Sequence, residues 1–383
     1  MAETIRIAEL ANKILDELGK FLKWEINPEN DLNFNCLSPI EHFSNEGKKK
    51  SKKVKTDEEI AEENHTHPTD IVISYFDPYL NKKVYFNTDL KSYATKSITL
   101  GGVTEWLTSL ANGTACCRLN ETWRQKYRVE SNSEIRGLLF VYNHDGEFKK
   151  SIYEFIYDFH IKSSDKEETD AKKRRHGVHI RNLNLAPNTY LHILDPLTIS
   201  RILSIKQDLI EFQNFHKVGL SERIDFPFNY FYPPKQLFKS SVTPKEAPAT
   251  MELITGPFLI VTFDNYKVVT LDDNDKPNTE VMQGGTIVYY NEAGDTPEEF
   301  MYLIETLMMF DLIKEGSKTF IKQCFNKPSI NAFQNFENAI TQYCNIWDYS
   351  DSMKSVLENI QFSQVTLVQR IFCNKAIDRS TKS

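Results

Sequence analysis

Two neighbouring segments, residues 70–77 and 83–93, constrain the fold of this chain more than any other part of it. Both are rich in β-branched and aromatic residues, and a short polar stretch separates them, so together they predict a β-hairpin. Asp70 stands at the start of the first strand, and Asp89 and Lys91 lie inside the second. Charged groups in a half-buried strand are costly unless they are paired or bind a metal.

The relative position of these charges follows from strand geometry, because successive side chains point to opposite faces. When the apolar faces of the two strands are matched, Ile71 lies opposite Leu90 and Asp70 lies opposite Lys91. Asp89 then falls one pair along, on the same face. We therefore predict that the three charged side chains converge on one face of the hairpin.

This arrangement of two acids and a lysine suits a metal-dependent nuclease. Two nearby carboxylates repel one another unless a positive charge lies between them. Mg²⁺ supplies such a charge and favours one or two protein carboxylates together with phosphate oxygens and water. Lys91 would orient or deprotonate the attacking water, or neutralise the charge that develops on phosphorus. We predict Asp70 and Asp89 as ligands of Mg²⁺ or Mn²⁺, and Lys91 as a catalytic residue.

The two motif halves, Pro68-Thr69-Asp70 and Asp89-Leu90-Lys91, resemble the signature of the PD-(D/E)xK nuclease superfamily. The surrounding pattern is similar too, with an amphipathic helix at 3–23, a helix from about Thr104 and a buried strand in "IRGLLFVYNHDG". The resemblance implies an α/β (α+β) fold, a restriction-endonuclease-like mixed sheet flanked by helices. Residues 33–38 are the candidate first strand.

The same resemblance implies further features of the site and its role. Members often carry another acid on the first helix, which implies Glu9 as a fourth catalytic residue, with Glu17 as the alternative. Nucleases of this type that carry an unfamiliar second domain often resemble bacterial anti-phage effectors. The expected activity is an endonuclease acting on DNA; RNA remains open as the substrate.

Composition divides the chain into three parts. Residues 1–220 are the expected nuclease domain, with a charged insertion at 46–66 that is predicted to be an exposed loop. Residues 221–250 are rich in proline and aromatics and are the expected linker. Residues 251–383 are an expected α+β domain for sensing, docking or oligomerisation, with a hairpin turning near Asp264 and mainly helix after Thr296.

The charge balance argues against a general basic coat, since 46 Lys and Arg face 53 Asp and Glu for a net charge of −7. The local basic cluster Lys172, Lys173, Arg174 and Arg175 is therefore the predicted contact with the nucleic-acid backbone, with the lysines of 48–55 as a weaker candidate. An acidic protein binds DNA poorly at physiological salt. We expect it to work as a homo-oligomer or with a partner protein that activates or targets it.

The remaining reactive residues suggest no second site. The six cysteines lack CxxC pairs and Cys/His metal spacing, so they are predicted to be reduced thiols of a cytoplasmic protein. His65 and His67 are predicted to be solvated, with no second Cys/His cluster to complete a zinc site. Signal-peptide and membrane-spanning patterns are not apparent, so no membrane association is expected.

Two alternatives stand beside the nuclease interpretation. Other acid-x-Lys triplets occur at 46–48, 147–149 and 170–172, in charged loops or beside a turn, so the triplet alone is a weak signal. Asp70 and Lys91 could also form an ordinary cross-strand ion pair. The protein would then be a non-catalytic interaction or scaffold protein that retains the nuclease fold.

Overall fold

The structure is a computed structural model that describes residues 2–29, 31–43, 56–157, 177–183, 185–215, 228–240, 242–271 and 277–367. The predicted basic cluster at 172–175 and the lysines of 48–55 lie outside the described residues. The chain forms two compact units, the first containing residues 1–77 and 82–199 and the second containing residues 78–81 and 200–368.

The first unit contains both helices and strands. Its described helices are α1 Ala2–Leu22, α2 Pro39–Phe43, α3 Asp57–Glu62, α4 Leu100–Cys117, α5 Glu121–Lys126 and the start of α6 Pro196–Phe215, which continues into the second unit. Its described strands are β1 Glu25–Ile26, β2 Leu32–Asn35, β3 Thr66–Thr69, β4 Ile71–Asp77, β5 Lys82–Tyr93, β6 Ser133–Asn143, β7 Ile156–Tyr157, β8 Val178–His179 and β9 Leu191–Leu194.

Five of these strands form a mixed sheet in the order β1-β4-β5-β6-β9. The pairs β1–β4 and β4–β5 are antiparallel, whereas β5–β6 and β6–β9 are parallel. The interior strand β6 is buried from Ile135 to Asn143, as expected for a parallel strand covered on both faces. Helix α1 packs against β5, and α4 packs against β5 and β6. The predicted α/β fold with a helix-flanked mixed sheet is confirmed.

The predicted hairpin is present, but its register differs from the expected one. Ile71 pairs with Thr88 rather than Leu90, so Asp70 lies beside Asp89 instead of opposite Lys91. Residues 78–81 connect the strands, and Asn81 adopts a left-handed backbone conformation with φ 52°. A shift of two residues keeps every side chain on its face, so the apolar pattern alone did not distinguish the two registers.

Three other predictions about the first unit were wrong. The candidate first strand at 33–38 appears as β2, which pairs with β3 rather than joining the main sheet, and β1 takes the edge position. The charged insertion contains α3, whose first turn is closed by a capping box between Thr56 and Glu59. The pattern of residues 147–162 also predicts a helix, but the described part of this segment forms a 3₁₀ turn at Ile152–Phe155 followed by β7.

The second unit also combines helices with a mixed sheet. In chain order its described elements after α6 are β10 Phe228–Tyr230, α7 Pro234–Ser240, α8 Met251–Thr255, β11 Phe258–Phe263, β12 Tyr266–Leu271, β13 Pro277–Met282, β14 Gly285–Tyr290, α9 Pro297–Met309, β15 Lys318–Gln323, α10 Ala332–Trp347, α11 Asp351–Glu358 and β16 Gln361–Gln364. Residues 228–230 and 234–240 of the expected linker thus form β10 and α7.

Two expectations about this unit were wrong. The segments on either side of Asp264 do not pair with each other, because β11 pairs with β10 and β14, while β12 pairs with β13. The region after α9 is not mainly helical, since β15 and β16 interrupt it and extend the sheet. Strand pairing between distant segments is not visible in local composition.

The sheets of the two units share one plan. The second sheet has the order β10-β11-β14-β15-β16, with two antiparallel pairs followed by two parallel pairs, as in the first sheet. A helix precedes the first strand of each sheet, and helices connect the third strand to the fourth. In the second unit, Asp208 of α6 accepts hydrogen bonds from Lys322 Nζ at 2.7 Å and from Tyr289 at 2.6 Å, which ties that helix to the sheet.

Asp195 caps α6, a role that favours an aspartate immediately before a proline at the first helical position. Its Oδ1 accepts a hydrogen bond from the Thr198 backbone N–H at 2.8 Å. Its Oδ2 accepts from Ser151 Oγ at 2.8 Å and from the Ile152 backbone at 3.0 Å. The residue is fully buried, so it joins the start of α6 to the 3₁₀ turn.

We expect Asp195→Ala to lower the free energy of unfolding by about 2–4 kcal/mol, because it removes a helix cap and leaves buried donors unpaired. The midpoint of urea-induced unfolding measures this change. Asp16→Ala is the control, because Asp16 is exposed and pairs only with Lys20 one turn along α1; it should cost less than about 0.5 kcal/mol. Equal effects of the two substitutions would contradict the assignment.

Candidate active site

The β4–β5 pairing sets the position of Asp70. Its backbone N–H donates to the Thr88 carbonyl at 3.2 Å, which continues the ladder one step beyond β4. Its carboxylate Oδ2 accepts a hydrogen bond from the Leu90 backbone N–H at 2.6 Å. The carboxylate is therefore held against β5, directly beside the position of Asp89.

Asp89 and Lys91 share one face of β5, because they are two residues apart in a strand. Lys91 Nζ donates a hydrogen bond to Asp89 Oδ1. The carboxylates of Asp70 and Asp89 also lie close together on this face, one pair beyond the β4–β5 ladder. The structure thus brings together the three residues that the sequence predicted to meet. Only 15% of the Asp89 side chain and 23% of the Lys91 side chain are exposed.

The electrostatics of Asp89 are set by this enclosure. The pKa of Asp89 is raised to about 6, mainly by burial; the Lys91 ammonium lowers this pKa, and the neighbouring Asp70 carboxylate raises it. Two carboxylates in contact need a proton or a cation between them. The donor set therefore fits a hard divalent cation, which binds carboxylate oxygens.

Thr69 connects this hairpin to the elements around it. Its hydroxyl donates to Asn87 Oδ1 at 2.8 Å and accepts from the Trp123 indole N–H at 2.9 Å. Thr69 and Asn87 are each 1% exposed, and Trp123 is fully buried. Asn87 precedes Asp89 by two residues on the same face of β5, so the network fixes β3, β5 and α5 around the acid pair.

The first 175 residues are similar to a known protein family. Residues 1–175 match the model of a family described as the GAPS4 protein PD-(D/E)XK nuclease domain. This match supports placing residues 1–175 in the PD-(D/E)xK nuclease superfamily. The matched segment contains Asp70, Asp89 and Lys91, together with α1, α4 and β6. No curated protein and no solved structure matches the chain.

The fourth acid predicted for the nuclease domain lies on α1. The side chain of Glu9 is exposed, whereas that of Glu17 is half-buried. Glu17 borders the face formed by Ile14 and Leu18, which are 2% and 0% exposed. Because α1 packs against β5, this difference in exposure favours Glu17 over Glu9 as the acid nearer the site.

The interpretation of His67 as a solvated loop residue was wrong. His67 is 3% exposed, and it lies beside Cys36, His42 and Cys116. The four residues come from β3, the segment after β2, α2 and α4. Their spacing in sequence matches no local metal motif, and tertiary packing alone brings them together. The nearest local signal is the short interval between Cys36 and His42.

Within the described ranges, every helix is too short or too polar to cross a bilayer. The described cysteines at positions 36, 116, 117, 324 and 344 form no disulfide with one another. The predicted nucleic-acid contacts at 172–175 lie outside the described residues.

We expect Thr69→Val to lower the free energy of unfolding of the nuclease domain by about 1–3 kcal/mol, because Asn87 and Trp123 each lose a buried hydrogen-bond partner. Chemical denaturation followed by tryptophan fluorescence measures the change. Thr108→Val is the matched control, since the Thr108 hydroxyl donates only to a carbonyl of its own helix at 2.7 Å. A loss at Thr108 as large as that at Thr69 would argue against the network.

Proposed function

We propose that this protein is a divalent-metal-dependent endonuclease that hydrolyses phosphodiester bonds in DNA. Asp70 and Asp89 bind Mg²⁺ or Mn²⁺, and Lys91 acts on the attacking water. The observation that carries the proposal is the contact among these three side chains on one face of β5, inside a domain that matches a nuclease family.

The acid pair supports the metal part of the proposal. Asp70 is oriented by the Leu90 N–H, which leaves its carboxylate facing Asp89. Neither acid needs to move far to share a cation, so little conformational entropy is lost on binding. A magnesium ion held there would polarise the phosphodiester and lower the pKa of a bound water.

Lys91 supports the catalytic part of the proposal. An ammonium group has three N–H donors, and the contact with Asp89 uses one of them. The group is mostly shielded from water, which strengthens its interaction with a phosphate or with the charge that develops during attack. Asp89 thereby positions Lys91 as well as contributing a metal ligand.

DNA is proposed as the substrate on the strength of the superfamily resemblance, and the basic residues at 172–175 are proposed to hold its backbone. The net charge of −7 makes unaided binding weak at physiological salt. We propose that the protein acts as a homo-oligomer or with a partner, in anti-phage defence. Light scattering tests the oligomer, and phage challenge of bacteria that express wild type or Asp89→Asn tests the role.

We expect Lys91→Met and Asp89→Asn each to lower metal-dependent cleavage by at least about 100-fold, because each removes a group that acts on the reacting water or its metal. The assay compares plasmid, linear and single-stranded DNA with RNA, in Mg²⁺, in Mn²⁺ and without divalent metal. Lys83→Met is the matched control, because Lys83 also lies on β5 and forms an ion pair, but with Glu25.

The outcomes separate the alternatives. Cleavage of RNA but not of DNA would identify RNA as the substrate. Full activity in folded Lys91→Met would remove Lys91 from the mechanism. If the folded wild type cuts nothing, calorimetric titration with Mn²⁺ decides: binding that Asp89→Asn abolishes keeps the metal site and indicates a missing partner, whereas no binding supports a non-catalytic scaffold.

We expect Glu17→Gln to reduce cleavage at least about tenfold more than Glu9→Gln, because Glu17 is half-buried on the helix that packs against β5 and Glu9 is exposed. The rate of plasmid nicking at saturating metal measures both variants. A larger loss in Glu9→Gln would assign the fourth acid to Glu9, as the superfamily resemblance first suggested.

A further inference from the structure

Four soft metal-binding side chains converge at a second place in the nuclease domain, away from the acid pair. Cys36, His42, His67 and Cys116 each offer one ligand atom, and all four atoms lie within 4.8 Å of one another. His67 and Cys116 are 3% and 2% exposed, and the other two residues are half-buried. No carboxylate belongs to this group.

The separations between these atoms have the dimensions of one coordination sphere. The Cys36 and Cys116 sulfurs are 3.8 Å apart. His42 Nδ1 lies 3.3 Å from the Cys36 sulfur and 3.5 Å from the Cys116 sulfur. His42 Nδ1 and His67 Nε2 are 3.2 Å apart.

A tetrahedral zinc ion requires similar distances. Zn–S bonds of about 2.3 Å and Zn–N bonds of about 2.0–2.1 Å give edges of about 3.8 Å between sulfurs, about 3.6 Å between sulfur and nitrogen, and about 3.3 Å between nitrogens. The four measured edges lie within a few tenths of an ångström of these values. We propose that Cys36, His42, His67 and Cys116 bind a structural zinc ion.

The surroundings of the cluster suit such a site. The Leu37 backbone N–H donates to the Cys116 sulfur at 3.3 Å. Donors of this kind stabilise thiolates that bind metal. Phe43 stacks on the His67 ring at 5.5 Å between centroids, which helps to fix the ring orientation. Asn112 of α4 donates to the His42 carbonyl at 3.3 Å.

The number of protein ligands indicates a structural rather than a catalytic role. A catalytic zinc ion keeps one position for water or substrate, whereas four Cys and His ligands close the coordination sphere. The ion would join three separate parts of the domain: the β2–α2 segment, β3 and α4. These contacts hold β3 in place, and β3 leads directly through Thr69 to Asp70.

A disulfide and a metal-free cluster are the competing explanations. The Cys36 and Cys116 sulfurs are separated by 3.8 Å, far beyond the roughly 2.0 Å of an S–S bond. A metal-free cluster would leave two thiols and two imidazoles in mutual contact, with no charged partner among them. The zinc proposal is independent of whether the domain cuts nucleic acid, because its readouts are metal content and spectrum.

The test begins with the wild-type protein, purified without chelators and passed through metal-free buffer. Elemental analysis should find about one zinc per chain. Replacement with Co²⁺ should give the intense sulfur-to-cobalt charge-transfer absorption and the visible bands of a tetrahedral thiolate site. Carboxylate sites such as Asp70 and Asp89 do not give that charge-transfer band, so the spectrum distinguishes this site from the nuclease site.

The matched pair of variants is Cys116→Ala and Cys117→Ala. Both cysteines are buried neighbours on α4, but the Cys117 sulfur donates to the Thr114 carbonyl at 3.2 Å and is not part of the cluster. Cys116→Ala should weaken zinc binding by more than about 100-fold, since losing a ligand costs more than losing a supporting hydrogen bond. Cys117→Ala should retain the ion.

Three results would overturn the proposal. The first is a wild-type protein that contains no zinc and gives no cobalt–thiolate band on reconstitution, which requires no variant to fold. The second is equal zinc content in the two alanine variants. A Cys36–Cys116 disulfide, seen as a mass two hydrogens lower without reductant in freshly purified protein, would also exclude a zinc ion at these ligands.

Discussion

The contact between Asp70 and Asp89 is the interaction on which the site depends. Two carboxylates held together in a poorly hydrated place are unfavourable by themselves, so the rest of the domain must keep them there. The β4–β5 ladder fixes the backbone, the Leu90 N–H orients Asp70, and Lys91 offsets part of the charge on Asp89. Functional sites commonly concentrate such unfavourable arrangements, because a ligand or substrate relieves them.

Much of this site was predictable from sequence, because it depends on local pattern. The strand alternation placed Asp89 and Lys91 on one face. The helix predicted at 3–23 agrees with α1 to within one residue at each end. The exact partner of Asp70 was not predictable, since registers that differ by two residues bury the same faces. The observed register is accompanied by a four-residue connection, 78–81, in which Asn81 has a left-handed backbone.

The Cys/His cluster shows the opposite case. Its members are spread from Cys36 to Cys116. Cys36 follows β2 and His67 lies in β3, and the pairing of these two strands was not predicted. Once β2 pairs with β3 rather than with the main sheet, Cys36 and His67 lie at neighbouring ends of one small ladder. Residues at such sequence separations carry no periodic signal, so only the tertiary fold reveals them.

Because the two sheets have the same strand order, residues at corresponding positions can be compared. One pair beyond the β11–β14 ladder, where the nuclease domain has Asp70 and Asp89, the second unit has Pro257 and Asn291. It therefore repeats the strand order without the acid pair.

The strand β3 lies between the two proposed metal sites, with His67 at one and Thr69 leading to Asp70 at the other. Chelators such as EDTA bind zinc more tightly than magnesium, so adding one would strip both ions. Inhibition by EDTA would then have two causes, loss of the catalytic magnesium and loss of the structural zinc. Adding back magnesium alone, and then zinc alone, would show which of the two ions the lost activity requires.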